Sequence, residues 1–283
     1  MLCNNCGSDN QEDIKICLVC GHHLKGESIL VKNQYGYHLD FNDSENLPGQ
    51  IRDYFFKIMR FRVETELDSK AYRKYFDHFH SSGFYKKFDV RALQLAEELT
   101  AINTQNDVFR PKQVDTYLNR VLEGLLDYFV IVYCEPVHRM KLPDAILRYE
   151  NHTTQVLDLK LMILDFLDFE HGKDKCYTDF LKMKPGKFKN AQEAFLFAGR
   201  EEALFLICDQ TIFGSCKEGF AMTDKALYWK AHFNNPGKVS YKQLNEIKRE
   251  AEWITINGQF FNVNKTMNYK MTLLLKKLKT IFS

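Results

Sequence analysis

The chain has 283 residues, is 45% hydrophobic and 27% charged, and carries a formal net charge of +2, ordinary values for a globular protein. No stretch approaches the ~20 apolar residues that cross a bilayer, and a disulfide scaffold would be shorter and denser in cysteine than 8 in 283 residues. The charge is uneven: residues 171–283 hold 19 Lys and Arg against 11 Asp and Glu while residues 1–170 are net acidic, so attraction to phosphate or an anionic surface is expected in the C-terminal third.

The first element in the chain is a cysteine pattern, Cys3-Asn-Asn-Cys6-Gly7 followed by Cys17-Leu-Val-Cys20-Gly21. A two-residue gap lets both thiolates of a pair reach one ion from a tight turn, and two such turns supply four sulfurs in tetrahedral geometry. Glycine after each second cysteine lets the chain turn back at positive φ. Cys3, Cys6, Cys17 and Cys20 are therefore expected to hold a structural Zn²⁺. A redox dithiol would need a βαβ context, and substitution by His22 or His23 is unnecessary with four thiolates present. The pattern resembles the short zinc ribbons at the N-termini of many bacterial proteins, modules that dock proteins, nucleic acids or neighbouring domains. With an ion and four thiolates in an already acidic segment, DNA is the weakest of these partners, because non-specific affinity comes from phosphate neutralisation. The start of the chain has no basic and apolar leader pattern, and with paired cysteines the expected location is cytoplasmic.

Residues 26–48 read as a linker, punctuated by Gly26, Gly36, Asn42 and Pro48. From 49 to 185 the apolar period is helical. Ile51, Tyr54, Phe55, Ile58 and Met59 form one face, and Tyr72, Tyr75, Phe76 and Phe79 a second. Asp89 is placed to cap a helix carrying Leu93, Ala96 and Leu99. Pro111 opens another that Glu135-Pro136 stops. Residues 153–169 form a further helix, giving five or six in an irregular bundle. Asp77, His78 and His80 spread over too wide an arc of a helix to converge on a metal, and Glu135 with His138 is read as structural.

From 186 onward the texture changes. A helix is expected over 190–199, then strands at 203–208, 220–224, 226–230, 239–247, 252–256 and 259–263, with Asn257-Gly258 as the strongest hairpin signal. A terminal helix at 267–282 presents Met271, Leu274, Leu275, Leu278 and Phe282 on one face and lysines mostly off it. It is read as closing the sheet, with its lysines in solvent, rather than lying on a membrane. The segment Thr211-Ile-Phe-Gly-Ser through Phe-Ala-Met-Thr-Asp-Lys-Ala-Leu-Tyr-Trp-Lys230 resembles the first hairpin of bacterial pleckstrin-homology-like (PH-like) domains. That resemblance implies a bent β-sheet closed by a helix, a binding surface, and no chemistry.

There is no Walker A loop, no GxGxxG, no GxSxG and no HExxH in the chain. Cys208 and Cys216 have His232 as the nearest candidate partner, and are read as buried thiols. The expected fold is therefore a multidomain α+β chain: zinc ribbon 1–25, linker 26–48, helical domain 49–185, and PH-like domain 186–283. The expected function is that of a non-enzymatic adaptor or regulatory protein docking another protein. Nucleic-acid binding by the basic C-terminal third and peripheral binding to an anionic membrane are the alternatives.

Overall fold

The structure is a computed structural model, and it describes residues 35, 37, 39–41, 43–104, 110–149, 157–171, 174–250 and 252–282. The α+β class holds: helices come first, and antiparallel sheets followed by a long helix come last. The helices are α1 (Leu47–Arg62), α2 (Tyr72–Ser81), α3 (Phe84–Thr104), α4 (Arg110–Tyr128), α5 (Glu135–His138) and α6 (Leu159–Leu167). Five-residue π-helical turns, Val63–Leu67 and Phe129–Tyr133, extend α1 and α4. Among the described residues no helix is long and apolar enough to cross a membrane.

The chain divides into two compact units, one of residues 1–55 with 89–121 and the other of 56–88 with 122–283. Within the first, Tyr37 stacks flat on Tyr54 at 4.9 Å, and the Tyr54 hydroxyl donates to Asn119. Arg91 grips Glu98 through two guanidinium nitrogens, at 2.8 and 3.1 Å, and Tyr117 donates to the same carboxylate. Asp89 does not cap a helix. It lies inside α3, which starts five residues earlier, and pairs instead with Arg52 at 2.7 Å.

The second unit has an aromatic centre and a β portion. Phe79 meets Phe56, Phe84, Phe88 and Phe129 edge-on at 5.0–5.8 Å, a geometry that ring quadrupoles favour. The β portion opens with β1 (Lys175–Tyr177) and α7 (Pro185–Ala194). A five-stranded antiparallel sheet follows in the order β1-β2-β3-β4-β5, where β2 is Leu204–Asp209, β3 Gly219–Thr223, β4 Ala226–Lys230 and β5 Gly237–Ser240. A second sheet holds β6 (Ile247–Glu250), β7 (Trp253–Ile256) and β8 (Gln259–Phe261). Trp229 of β4 donates its indole N–H to the Phe260 carbonyl at 2.7 Å, tying one sheet to the other.

Three sequence expectations shift. The helix expected at 190–199 lies at 185–194, because Pro185 suits a first turn and Phe195, at φ −157°, leaves the helix. The strand expected over 239–247 breaks into β5 and β6 around a 3-10 turn at Tyr241–Gln243. There the Tyr241 hydroxyl is drawn inward to the carbonyls of Thr223 and Ala226. Finally, α8 (Lys265–Phe282) has no simple solvated lysine face: Met267 through Leu275 are all buried. Lys270 donates to the Leu167 carbonyl at the end of α6 at 3.0 Å, and Lys276 pairs with Glu66.

Candidate functional site

Register places one end of the five-stranded sheet unambiguously. Lys175 sits opposite Asp209, Asp209 opposite Gly219, Gly219 opposite Lys230, and Trp229 opposite Gly237. The loops 210–218 and 231–236 therefore leave the sheet at the same end. A cavity of about 540 Å³ opens between them, lined by both loops, by Asp174 and Lys175, by Phe260 of β8 and by Asn262 just after it.

The first loop is organised by one carboxylate. Asp209 Oδ1 accepts from the Thr211 amide at 2.9 Å, the Thr211 hydroxyl at 2.6 Å and the Cys216 amide at 3.2 Å. Burial alone would raise the Asp209 pKa, but these donors outweigh it and hold the carboxyl below its ordinary value. The Thr211 hydroxyl in turn accepts from the Ser215 amide, and the Thr211 carbonyl from the Gly214 amide. Gly219 closes the loop at φ +140°, where a Cβ would stand 2.0 Å from the Cys208 carbonyl oxygen, so only glycine fits. Helix α7 braces the loop from the side. Asn190 donates to the Ser215 carbonyl at 2.8 Å. The ammonium groups of Lys187 and Lys175 come within 3.2 and 3.7 Å of the point where Gly214 would carry a Cβ. Lys187 also donates to the Tyr177 hydroxyl at 2.8 Å, which raises its pKa.

On this rigid loop stand two apolar side chains with almost nothing around them, Ile212 at 88% and Phe213 at 95% exposure. The facing loop carries a third, Phe233 at 94%. Phe233 also has φ +58°, a left-handed conformation that costs a bulky residue ~1–2 kcal/mol. Neither burial nor backbone preference calls for phenylalanine there. Beside it, the His232 ring nitrogen Nδ1 and Glu218 Oε1 lie 2.7 Å apart across the cavity wall.

Of the residues weighed from sequence, Cys3, Cys6, Cys17 and Cys20 lie outside the described residues. Asp77 pairs with Arg73, His78 bonds the Tyr133 carbonyl at 2.7 Å, and among the described residues no three His, Cys, Asp or Glu groups could hold a metal ion. His138 has both ring nitrogens committed to backbone, at Val130 and Met140, so it makes no pair with Glu135. Cys134, Cys176, Cys208 and Cys216 are unbridged. Burial raises all four thiols, and Cys216, beside the Asp209 carboxylate, is pushed up to about 12. His232 faces Glu218 and not a thiol. The apolar loop tips were missed from sequence because residues 209–219 were read only as the connection of a hairpin, with no exposure assigned to Ile212 or Phe213. The signal was their place beside Gly214, between strands rather than in one.

The chain matches no protein-family model, no curated protein and no solved structure.

Proposed function

We propose that the chain is a non-enzymatic docking protein whose working surface is the loop end of the five-stranded sheet. One observation carries this reading. Ile212, Phe213 and Phe233 are held almost wholly in solvent by two ordered loops facing each other across a cavity, and an ordered apolar cluster in water marks an interaction site. The strand succession β2 to β5, then β6 to β8, then α8 supports the PH-like resemblance and its implication of a binding surface. At the other end of the chain, the donor set Cys3, Cys6, Cys17 and Cys20 fits Zn²⁺. With four protein ligands the ion would have a structural role and no open position for catalysis. The ribbon is then a second docking module, in an adaptor or regulatory protein of the cytoplasm.

The His232–Glu218 pair favours a second reading, a small-molecule site with a carboxylate-oriented imidazole. A photo-crosslinking side chain placed at 213, at 233 and, as a control, at the exposed Lys242 separates the two in living cells. Docking predicts macromolecular adducts at 213 and 233 and none at 242. Adducts at none of the three positions would defeat the docking reading and leave the cavity as a small-molecule site.

A further inference from the structure

We propose that Cys176 of β1 and Cys208 of β2 are a reversible redox pair, which hydrogen peroxide closes into a cross-strand disulfide that pins β1 to the sheet. Register carries this inference. Cys176 stands directly opposite Cys208 in the antiparallel β1–β2 ladder. Opposite residues of such a ladder send their side chains to one face, with Cα atoms about 4.5 or 5.5 Å apart according to the hydrogen-bond pattern. Both separations fall within the span of about 4.4–6.8 Å that a disulfide bridges, so the bond needs no change of register. No other described cysteine competes. Cys208 shares its face with Phe220 and Trp229, its neighbours across the sheet. Cys216 belongs to the opposite side, packed with Ile207, Ala221 and Tyr228. Cys134 is buried where the second π-helical turn ends.

Exposure orders the two sulfurs. Cys208 is 0% exposed. Cys176 is partly exposed on a three-residue strand at the sheet edge. Burial, and then the neighbouring Asp174, push the Cys176 thiol up to about 12 in the closed sheet, so its reactive thiolate forms when this short edge strand opens into water. The Cys176 sulfur then attacks one peroxide oxygen. The O–O bond breaks, a sulfenic acid forms and one water leaves. When β1 pairs again, the Cys208 sulfur attacks the sulfenic sulfur, the S–O bond breaks and a second water leaves. Two thiols have lost two electrons, and hydrogen peroxide has become two waters. A small-molecule thiol reverses the bond by exchange, and in a reducing compartment disulfides of this kind are transient and redox-sensing. The consequence reaches the loop end. Lys175, one register step from the pair, and the preceding Asp174 form one wall of the cavity. The state of the two thiols therefore sets how firmly that wall is held.

The test uses the full chain, reduced and then treated with hydrogen peroxide. Remaining thiols are alkylated after unfolding. The unreduced protein is cut with trypsin and chymotrypsin, whose cleavage after Phe213 separates Cys208 from Cys216. A Cys176–Cys208 peptide pair that dithiothreitol removes is expected, and deuterium exchange of the β1 amides should slow about tenfold in the oxidised chain. Neither readout depends on a docking partner. Absence of that pair overturns the proposal, as does the same spread of pairings from the folded chain as from chain oxidised in urea. So does exchange in β1 that the bond leaves unchanged. Cys176→Ser changes a partly exposed edge position, and in it Cys208 should stay a thiol at the same peroxide dose. Oxidation of Cys208 there as readily as in the wild type would show a lone thiol reacting by itself and would also overturn the pair.

Discussion

His138 is buried with its two nitrogens fixed by backbone. The Met140 amide donates to Nδ1 at 3.0 Å, so the ring proton must sit on Nε2, which faces the Val130 carbonyl at 3.1 Å. A second proton on Nδ1 would point at an N–H donor. Burial accordingly lowers the pKa, helped by Lys265 and His78, against the pull of the Val130 carbonyl and Glu135. A group whose folded value is depressed binds its proton first in the unfolded chain. Its contribution to stability is therefore whole above the ordinary histidine value of ~6.5 and is lost as pH falls below it. Urea midpoints measured between pH 7.5 and 5 should decline for the wild type. For His138→Gln, which keeps a side-chain donor but cannot titrate, the slope should be shallower over the same window, from a lower starting stability. Parallel slopes for the two proteins would show that the imidazole does not govern this window.

At the scale of elements, the end of α1, its π-helical turn, α4 and α8 share one buried ionic group. Arg62 reaches Asp127 at 2.6 Å and Glu66 at 3.4 Å, and Glu66 also meets Lys276 of α8. Burial would raise the Glu66 pKa, but the two cations overcome it and hold the acid below its ordinary value. The three partners are not equally exposed. The Arg62 and Glu66 side chains are 10% and 5% exposed while Lys276 is 42% exposed, so their removal should differ in cost. Arg62→Ala strips a buried carboxylate of a buried partner and should destabilise by ~3–5 kcal/mol. Lys276→Ala removes a half-solvated charge and should cost ~1 kcal/mol. Chemical denaturation of both variants checks the ranking, and equal losses would mean that the group is not buried as described. None of this was readable from linear sequence. A helical period marks Ile58 and Met59 as core, but the wider π turn at Val63–Leu67 shifts which faces align, and α8 lies about 200 residues away. The lysines of α8 read as solvated for the same reason: sequence shows the helix's own apolar stripe, not the carboxylate and carbonyls that neighbouring elements bring to its other faces. The hairpin at Asn257-Gly258 was legible because its cause is local. Both residues take positive φ, +47° and +78°, and the Asn257 side chain bonds the amides of Asn245 and Glu246. Strand β1 was not legible, since three residues with one partly buried cysteine carry no period, and its pairing is supplied by β2.

Across the whole molecule, two docking modules are proposed with separate physical foundations. The proposed ribbon would rest on metal–thiolate bonds closed within residues 3–20, which would tie its folding to zinc affinity. The β portion rests on the apolar core around Ile207, Cys216, Ala221 and Tyr228 with α7 packed against it, and on the sheet-to-sheet bond from Trp229. None of those contacts uses a residue before 175. Loss of one module should therefore leave the other working. Cys17→Ser should lose the one zinc ion per chain expected of the wild type by elemental analysis, while keeping macromolecular crosslinks at positions 213 and 233. The I212S/F213S/F233S variant should show the reverse, with full zinc and its macromolecular partner lost. Should Cys17→Ser lose both zinc and the crosslinks at 213 and 233 while remaining folded by circular dichroism, the modules would be coupled, and the ribbon would have to be treated as part of the docking surface.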